Sequence, residues 1–140
     1  MTNREEAQLW LAMADKDLRA IRGMLDADVF AEEVFGFHAQ QAAEKALKAW
    51  LAWLGIEFPR THDLSLLLNL LAGQNAQVEP FLDLIEYNPY AVQWRYEAYN
   101  GDEEESLDRP DTITRVAHVI EHVKALCIVN KKDNNQEDHP

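Results

Sequence analysis

The chain has 140 residues, of which 47% are hydrophobic and four are tryptophan, so it is long enough and apolar enough to form one folded domain. Its net charge of −12 argues against nonspecific nucleic-acid binding, which needs a basic face, and its single cysteine, Cys127, excludes an intrachain disulfide. No apolar run is long enough to cross a bilayer and the N-terminus lacks a signal-peptide core, so we expect a soluble, cytoplasmic protein without a membrane partner.

Helical spacing of apolar residues predicts two long helices in the first half of the chain. The first has one row at spacings of three and four, made of Ala7, Leu11, Ala14, Leu18, Ile21 and Leu25. The second has two adjacent rows, typical of a central helix with several neighbours, made of Phe35, Ala39, Ala42, Ala46, Ala49 and Trp53 beside Ala43, Leu47, Trp50 and Leu54. Gly55 and Pro59 mark its end.

A short third helix and a kinked fourth helix are predicted next. The segment THDLSLLLNLLAG gives a helix with Thr61 or Asp63 as its cap and Gly73 as its stop. Pro80 fits the first turn of the fourth helix, FLDLIEY, which Pro89 ends or kinks. The segment YAVQWRYEAYN then resumes as helix or turns.

The C-terminal part contains an acidic loop, one more helix and a polar tail. The loop GDEEESLDRPD is expected to be solvated. The last helix has an apolar stripe made of Ile113, Val116, Ile120, Val123 and Cys127. We expect residues 131–140 to be a disordered tail beyond a single domain at residues 1–130. Because no stretch alternates as a strand does, the predicted fold class is an all-α, up-and-down bundle of about five helices.

Asp17 stands out because it falls within the apolar arc of the first helix. Burying a carboxylate costs on the order of several kcal/mol unless it is paired or hydrogen-bonded. We therefore expect Asp17 to have a partner, and Arg95 and His38 are the nearest chemical matches. The pair can be a structural network or part of a ligand site.

The second helix carries a polar edge formed by His38, Gln41 and Lys45 at spacings of three and four. For His38 and Gln41, hydrogen bonding between helices and a ligand-facing role both stay open. Glu44 and Lys48 form an i,i+4 pair on what we interpret as the outer face. For these two residues and for Lys45 we favour a solvated surface.

Aromatic residues and an arginine cluster around Pro89, namely Tyr87, Tyr90, Trp94, Arg95, Tyr96 and Tyr99. Such rings can stack on a base or nucleotide, and the same residue types are enriched at protein interfaces. We expect core packing to account for at least half of them.

The segment HVIEH at residues 118–122 matches the H-x-x-E-H pattern of one class of zinc protease. That pattern needs a further acidic ligand far downstream, and only 18 residues follow His122. His118 and His122 are predicted to point away from the apolar stripe, toward solvent or a partner. We therefore predict no metal site and no cofactor.

The segment FHAQQAAEKALKAWL, followed by THDLSLLL and later by YAVQWRYE, resembles the HEPN domain family. The early A-x-x-D-L pattern from Ala14 to Leu18 fits the same family, and the resemblance covers residues 5–128. It implies a helical bundle that is commonly dimeric, often paired with a minimal nucleotidyltransferase as toxin and antitoxin, and nucleotide-binding in some members. The implied partners are a second copy of the chain, a minimal nucleotidyltransferase, and a nucleotide or RNA.

Some HEPN proteins cleave RNA without metal, with an arginine followed after four to six residues by a histidine. Arg95 resembles that arginine, but Asn100, Gly101 and Asp102 stand where the histidine would be. Because asparagine cannot transfer a proton near neutral pH, we predict a non-catalytic protein. The alternative is an RNA-cleaving toxin with an altered site built from Arg95, Asn100 and His38. The predicted ligand-binding residues are Asp17, His38, Gln41, Lys45, Tyr90, Arg95 and Tyr96.

Overall fold

Five helices make up the described part of the chain, in the order that the apolar spacing predicts. The structure, a computed structural model, describes residues 1–95 and 106–129. The helices are α1 (Asn3–Arg22), α2 (Glu32–Leu54), α3 (Leu64–Gly73), a 3₁₀ helix (Glu79–Arg95) and α4 (Arg109–Val129). Residues 1–95 and 106–129 contain no strand, so the predicted all-α fold is confirmed. The predicted tail and the first five residues of the acidic loop lie outside the described residues. The prediction that the whole loop is solvated is wrong at its end, because Arg109 is buried and begins α4.

Short polar and glycine signals set the ends of the first three helices. Thr2 caps α1 in a reciprocal arrangement, because its Oγ1 accepts from Glu5 N at 3.0 Å and Glu5 Oε1 accepts from Thr2 N at 2.9 Å. Gly55 ends α2 with a left-handed φ of 73°. Of the two caps predicted for α3, Asp63 serves, and its Oδ1 accepts from Ser65 N at 2.9 Å.

The central position predicted for α2 is confirmed. This helix contacts α1, α3, the 3₁₀ helix and α4. Both of its predicted apolar rows are buried except at the C-terminal end, where Trp53 is half-buried and Leu54 is exposed. Since alanine fills much of both rows, the neighbouring helices can approach α2 closely on several sides.

The 3₁₀ helix holds the beginning of α3 and the beginning of α4. Tyr87 is fully buried, and its hydroxyl donates to Thr112 Oγ1 on α4 at 3.0 Å. Asn88 Oδ1 accepts from Leu64 N at 2.8 Å, and its Nδ2 donates to the Asp63 cap at 2.9 Å. The kink expected near Pro89 falls at Val92, whose φ of −131° and ψ of 30° depart from helical values.

Arg109, which the sequence analysis did not single out, ties the α1–α2 loop to the start of α4. Its buried guanidinium donates from Nη1 to the carbonyl of Met24 at 2.7 Å and from Nη2 to the carbonyl of Phe30 at 2.8 Å. The same group lies over the ring of Phe35, 4.8 Å from its centroid. One side chain therefore satisfies two loop carbonyls that have no helical partner.

The predicted apolar stripe of α4 is buried from Val116 onward, while Ile113 is only half-buried. Val119 joins the buried side because α4 packs against both α1 and α2. Within residues 1–95 and 106–129, no helix combines the length and apolar character that a membrane crossing requires.

Candidate functional site

Asp17 lies between α1 and α2 and has two partners. It is 9% exposed, its Oδ1 lies 3.0 Å from His38 Nδ1, and its Oδ2 accepts from Lys45 Nζ at 2.7 Å. The prediction that Asp17 needs a partner is confirmed, and His38, one of the two residues considered, is such a partner. The prediction that Lys45 is a solvated surface residue is wrong, because its ammonium neutralises Asp17 at the seam between the helices.

Glu44 and Lys48 are buried, which corrects the prediction that both lie on a solvated face. Glu44 is 3% exposed and Lys48 is 6% exposed. Glu44 Oε2 accepts from Lys48 Nζ at 2.8 Å, and its Oε1 lies 3.0 Å from His62 Nδ1. The segment between α2 and α3 brings Phe58 and His62 against this side of α2, which a helical wheel drawn for α2 alone does not reveal.

Lys48 is enclosed by a carboxylate and two aromatic rings. Its Nζ lies 5.3 Å from the ring centroid of Trp10 and 5.9 Å from that of Phe58. The two rings meet edge to face, with centroids 6.2 Å apart. Cation–π attraction to both rings therefore adds to the ion pair with Glu44.

The two clusters repeat one arrangement, in which a buried carboxylate joins a lysine to a histidine. We call them the Asp17 triad (Lys45, Asp17 and His38) and the Glu44 triad (Lys48, Glu44 and His62). In both, the histidine is the more accessible member, with side-chain exposures of 33% for His38 and 64% for His62. Because both oxygens of each carboxylate have a hydrogen-bond partner, much of the free-energy cost of burying the charges is offset.

The carboxylates determine which nitrogen of each imidazole carries the proton. Nδ1 of His38 and Nδ1 of His62 each face a carboxylate oxygen, which can only accept. The neutral rings therefore carry the proton on Nδ1 and a lone pair on Nε2. A carboxylate that orients an imidazole in this way leaves Nε2 able to accept a proton or a hydrogen bond.

Gln41 hydrogen-bonds to the Glu44 triad rather than to the Asp17 triad. Its Nε2 donates to Gln40 Oε1 at 2.8 Å and to Glu44 Oε1 at 3.4 Å. Gln40 in turn donates from Nε2 to Glu44 Oε1 at 3.1 Å and to the carbonyl of His62 at 2.9 Å. The predicted edge of His38, Gln41 and Lys45 is thus divided between two networks. His38 and Lys45 bond to Asp17, whereas Gln41 bonds to Gln40 and Glu44 beside the loop that carries His62.

Tyr90, predicted to bind a ligand, packs against the helix backbone at Gly36. A methyl group at Gly36 would overlap the tyrosine ring, so only glycine allows this approach. Burial raises the pKa of the Tyr90 phenol to about 12, with smaller contributions from Glu32 and Glu33. Arg95 ends the 3₁₀ helix, its side chain lies outside the described parts, and Tyr96 and Asn100 lie outside the described residues.

The two histidines of the HVIEH segment contact aromatic rings. His118 is exposed and lies 4.8 Å from Phe81, whereas His122 lies 4.7 Å from Trp50 and 5.0 Å from Phe81, between ring centroids. Burial, with a smaller contribution from His118, lowers the pKa of His122. The prediction that His122 faces solvent or a partner is therefore wrong. No group of three metal-binding side chains occurs within residues 1–95 and 106–129.

We next compared the chain with known protein families. The model of the HEPN domain family matches residues 7–128, a range that includes both triads and the 3₁₀ helix. The chain belongs to the HEPN family. Neither the curated proteins nor the solved structures contain a match to this HEPN chain.

The segments that carry the HEPN resemblance supply both triads, and the A-x-x-D-L pattern contributes Asp17. FHAQQAAEKALKAWL contributes His38, Glu44, Lys45 and Lys48, and THDL contributes His62. Sequence reasoning passed over Gln40, Lys48 and His62 as site residues. The signal that could have found them is the proximity of THDL to the C-terminal end of α2 along the chain, since a short connection folds back on the helix it leaves.

Proposed function

We propose that this HEPN protein is a non-catalytic partner of a minimal nucleotidyltransferase, acting as a homodimer in a pair of the toxin–antitoxin kind and sensing the nucleotide that its partner uses. The observation that carries the proposal is Asn100, which stands five residues after Arg95 where RNA-cleaving members of the family have a histidine. Loss of a proton-transferring group typically removes ~10²–10⁴-fold of rate.

The charge of the chain supports a protein partner over a polynucleotide. At a net charge of −12, the overall field repels phosphate backbones and attracts a basic protein surface. Such attraction accelerates association and is weakened by salt. The two triads fit the same interpretation. Lys45 and Lys48, the lysines of α2, are each paired with a carboxylate and are not free to bind phosphate.

Affinity purification from the native host tests the proposal. The tagged full-length chain is recovered at low salt, and co-purifying proteins are identified by mass spectrometry. Recovery of a small nucleotidyltransferase, reduced when the salt concentration is raised, is the expected result. Recovery of the homodimer alone at low salt would refute the partner role.

One observation favours a second candidate, an RNA-cleaving toxin with an altered site. Asp17 orients His38 so that its Nε2 faces the accessible side, which is the geometry of a general base. The decisive assay is cleavage of structured RNA in EDTA by the wild-type chain, Arg95→Ala and His38→Asn, with His118→Asn as the control. Loss of cleavage in the first two variants alone supports an enzyme, and equal cleavage by all four indicates a contaminating nuclease.

A further inference from the structure

Three hydrogen-bond acceptors occur on α2 and on the loop that follows it, and we call them the acceptor row. They are Nε2 of His38, Oε1 of Gln41 and Nε2 of His62, which bond to no atom within residues 1–95 and 106–129. In that part of the chain, Arg4 Nε is the one buried side-chain nitrogen or oxygen without a partner. The free atoms of the half-buried His38 and Gln41 are therefore open to solvent.

When both imidazoles are neutral, the hydrogen-bond networks make all three atoms acceptors. Each imidazole uses its Nδ1 proton on a carboxylate, which leaves Nε2 with a lone pair. Gln41 uses its Nε2 to donate to Gln40 and Glu44, so its Oε1 is the atom that faces outward. The amide cannot turn over without losing both of these bonds, since Gln40 Oε1 and Glu44 Oε1 can only accept.

The members of the row are neighbours. His38 and Gln41 lie three residues apart on one face of α2, a spacing that places side chains next to each other. Gln41 Nε2 and His62 Nδ1 share one oxygen of Glu44, at 3.4 Å and 3.0 Å, so these two side chains also lie together.

Three acceptors without a donor suit a cationic group that is rich in donors. A guanidinium has five N–H donors in one plane and no acceptor, whereas an oxyanion would meet three lone pairs. The lysine and carboxylate of each triad cancel in charge, so the net charge of −12 on the chain governs the approach of an ion. We propose that the acceptor row binds an arginine side chain of a partner protein.

Protonation of the two imidazoles would weaken this contact, because it turns Nε2 of His38 and Nε2 of His62 into donors and adds positive charge. An oxyanion would respond in the opposite direction and bind more tightly in acid. The charged groups that face the two imidazoles are those of the triads, Asp17 and Lys45 for His38 and Glu44 and Lys48 for His62.

The test uses the full-length, ¹⁵N-labelled chain in EDTA and three capped peptides, tetra-arginine, tetra-lysine and tetra-glutamate. Long-range ¹H–¹⁵N spectra at about pH 7.5 and about pH 5.5 follow the imidazole nitrogens and report whether each ring is neutral or protonated. We expect the arginine peptide to shift Nε2 of His38 and His62 more than the lysine peptide does. It should bind about tenfold more weakly where the spectra show both rings protonated, as loss of a charge-assisted hydrogen bond implies.

Two variants complete the test. Gln41→Leu combined with His62→Phe should weaken arginine-peptide binding about tenfold, whereas the control His118→Phe, at an exposed histidine on α4, should leave it unchanged. If the double variant does not fold, the wild-type spectra decide alone. The proposal is overturned by equal binding of the arginine and lysine peptides, by binding that leaves His38 and His62 unshifted, or by inorganic phosphate moving both imidazoles more strongly in acid.

The inference rests on the proposed function only for the identity of the partner protein. Arginine-specific binding at the row without recovery of a nucleotidyltransferase would end the proposed function and leave the row in place. Recovery of that partner without arginine-specific shifts would support the proposed function and overturn the proposal that the row binds arginine.

Discussion

Lys48→Met removes the ammonium that contacts Glu44 while keeping the length of the side chain between Trp10 and Phe58. It leaves a carboxylate that is 3% exposed without its cation. Breaking a buried ion pair from one side typically costs about 3–5 kcal/mol. Because Glu44 keeps donors from His62 and Gln40, we expect the lower end, about 3 kcal/mol.

Adding Glu44→Gln removes the orphaned charge, so the double variant should be more stable than the sum of the two single changes predicts. Coupling energies for residues in contact are typically about 0.5–3 kcal/mol. Urea unfolding followed by circular dichroism measures all three variants. The matched control is Lys124→Met, whose ion pair with Asp15 is about a third exposed and should be worth less than ~1 kcal/mol. If Lys48→Met costs no more than Lys124→Met, the pair is solvated and the buried arrangement is wrong.

Three further predictions concern packing, pH and ligands. Gly36→Ala should cost about 1–3 kcal/mol in urea unfolding, because the new methyl group displaces the ring of Tyr90, while Gly73→Ala, with open space around it, should not destabilise; equal effects would contradict the packing. Because the pKa of His122 is lowered in the folded state, its contribution to stability is complete above the ordinary value of 6.5 and is lost as the pH falls through the lower folded-state value. The melting temperature of His122→Phe should therefore fall less in acid than that of the wild type. Parallel profiles of melting temperature against pH would refute this prediction. Millimolar ATP or GTP should raise the melting temperature if the chain binds nucleotide alone, since ligand at 100 times its dissociation constant adds ~2.7 kcal/mol, and an unchanged midpoint with both would remove nucleotide binding from the proposed function.

The regular part of the fold could be predicted from the sequence because it depends on local patterns. The two apolar rows of α2 identify the central helix, and Gly55 and Asp63 mark ends that the structure confirms. Asp17 could be recognised as needing a partner because the apolar arc of its own helix surrounds it. All of these inferences use residues within a few positions of one another.

The remainder depends on contacts that no single helix contains. Glu44 and Lys48 look like a surface pair on α2, and they are buried because Trp10 and Phe58 arrive from other segments. The fit of Tyr90 against Gly36 likewise joins residues far apart in the chain. Such placements follow from the packing of the whole bundle, which periodicity does not encode.

The two hydrogen bonds from Arg109 to the α1–α2 loop bear on the order in which the protein folds. The carbonyls of Met24 and Phe30 receive their donors from a residue 85 and 79 positions further along the chain. During synthesis, α1 and α2 therefore emerge with the loop between them unfinished, and that loop can be fixed only after α4 begins to leave the ribosome. Contacts between residues so far apart in the sequence are slow to close, so we expect the two carbonyls to gain their donors late in folding.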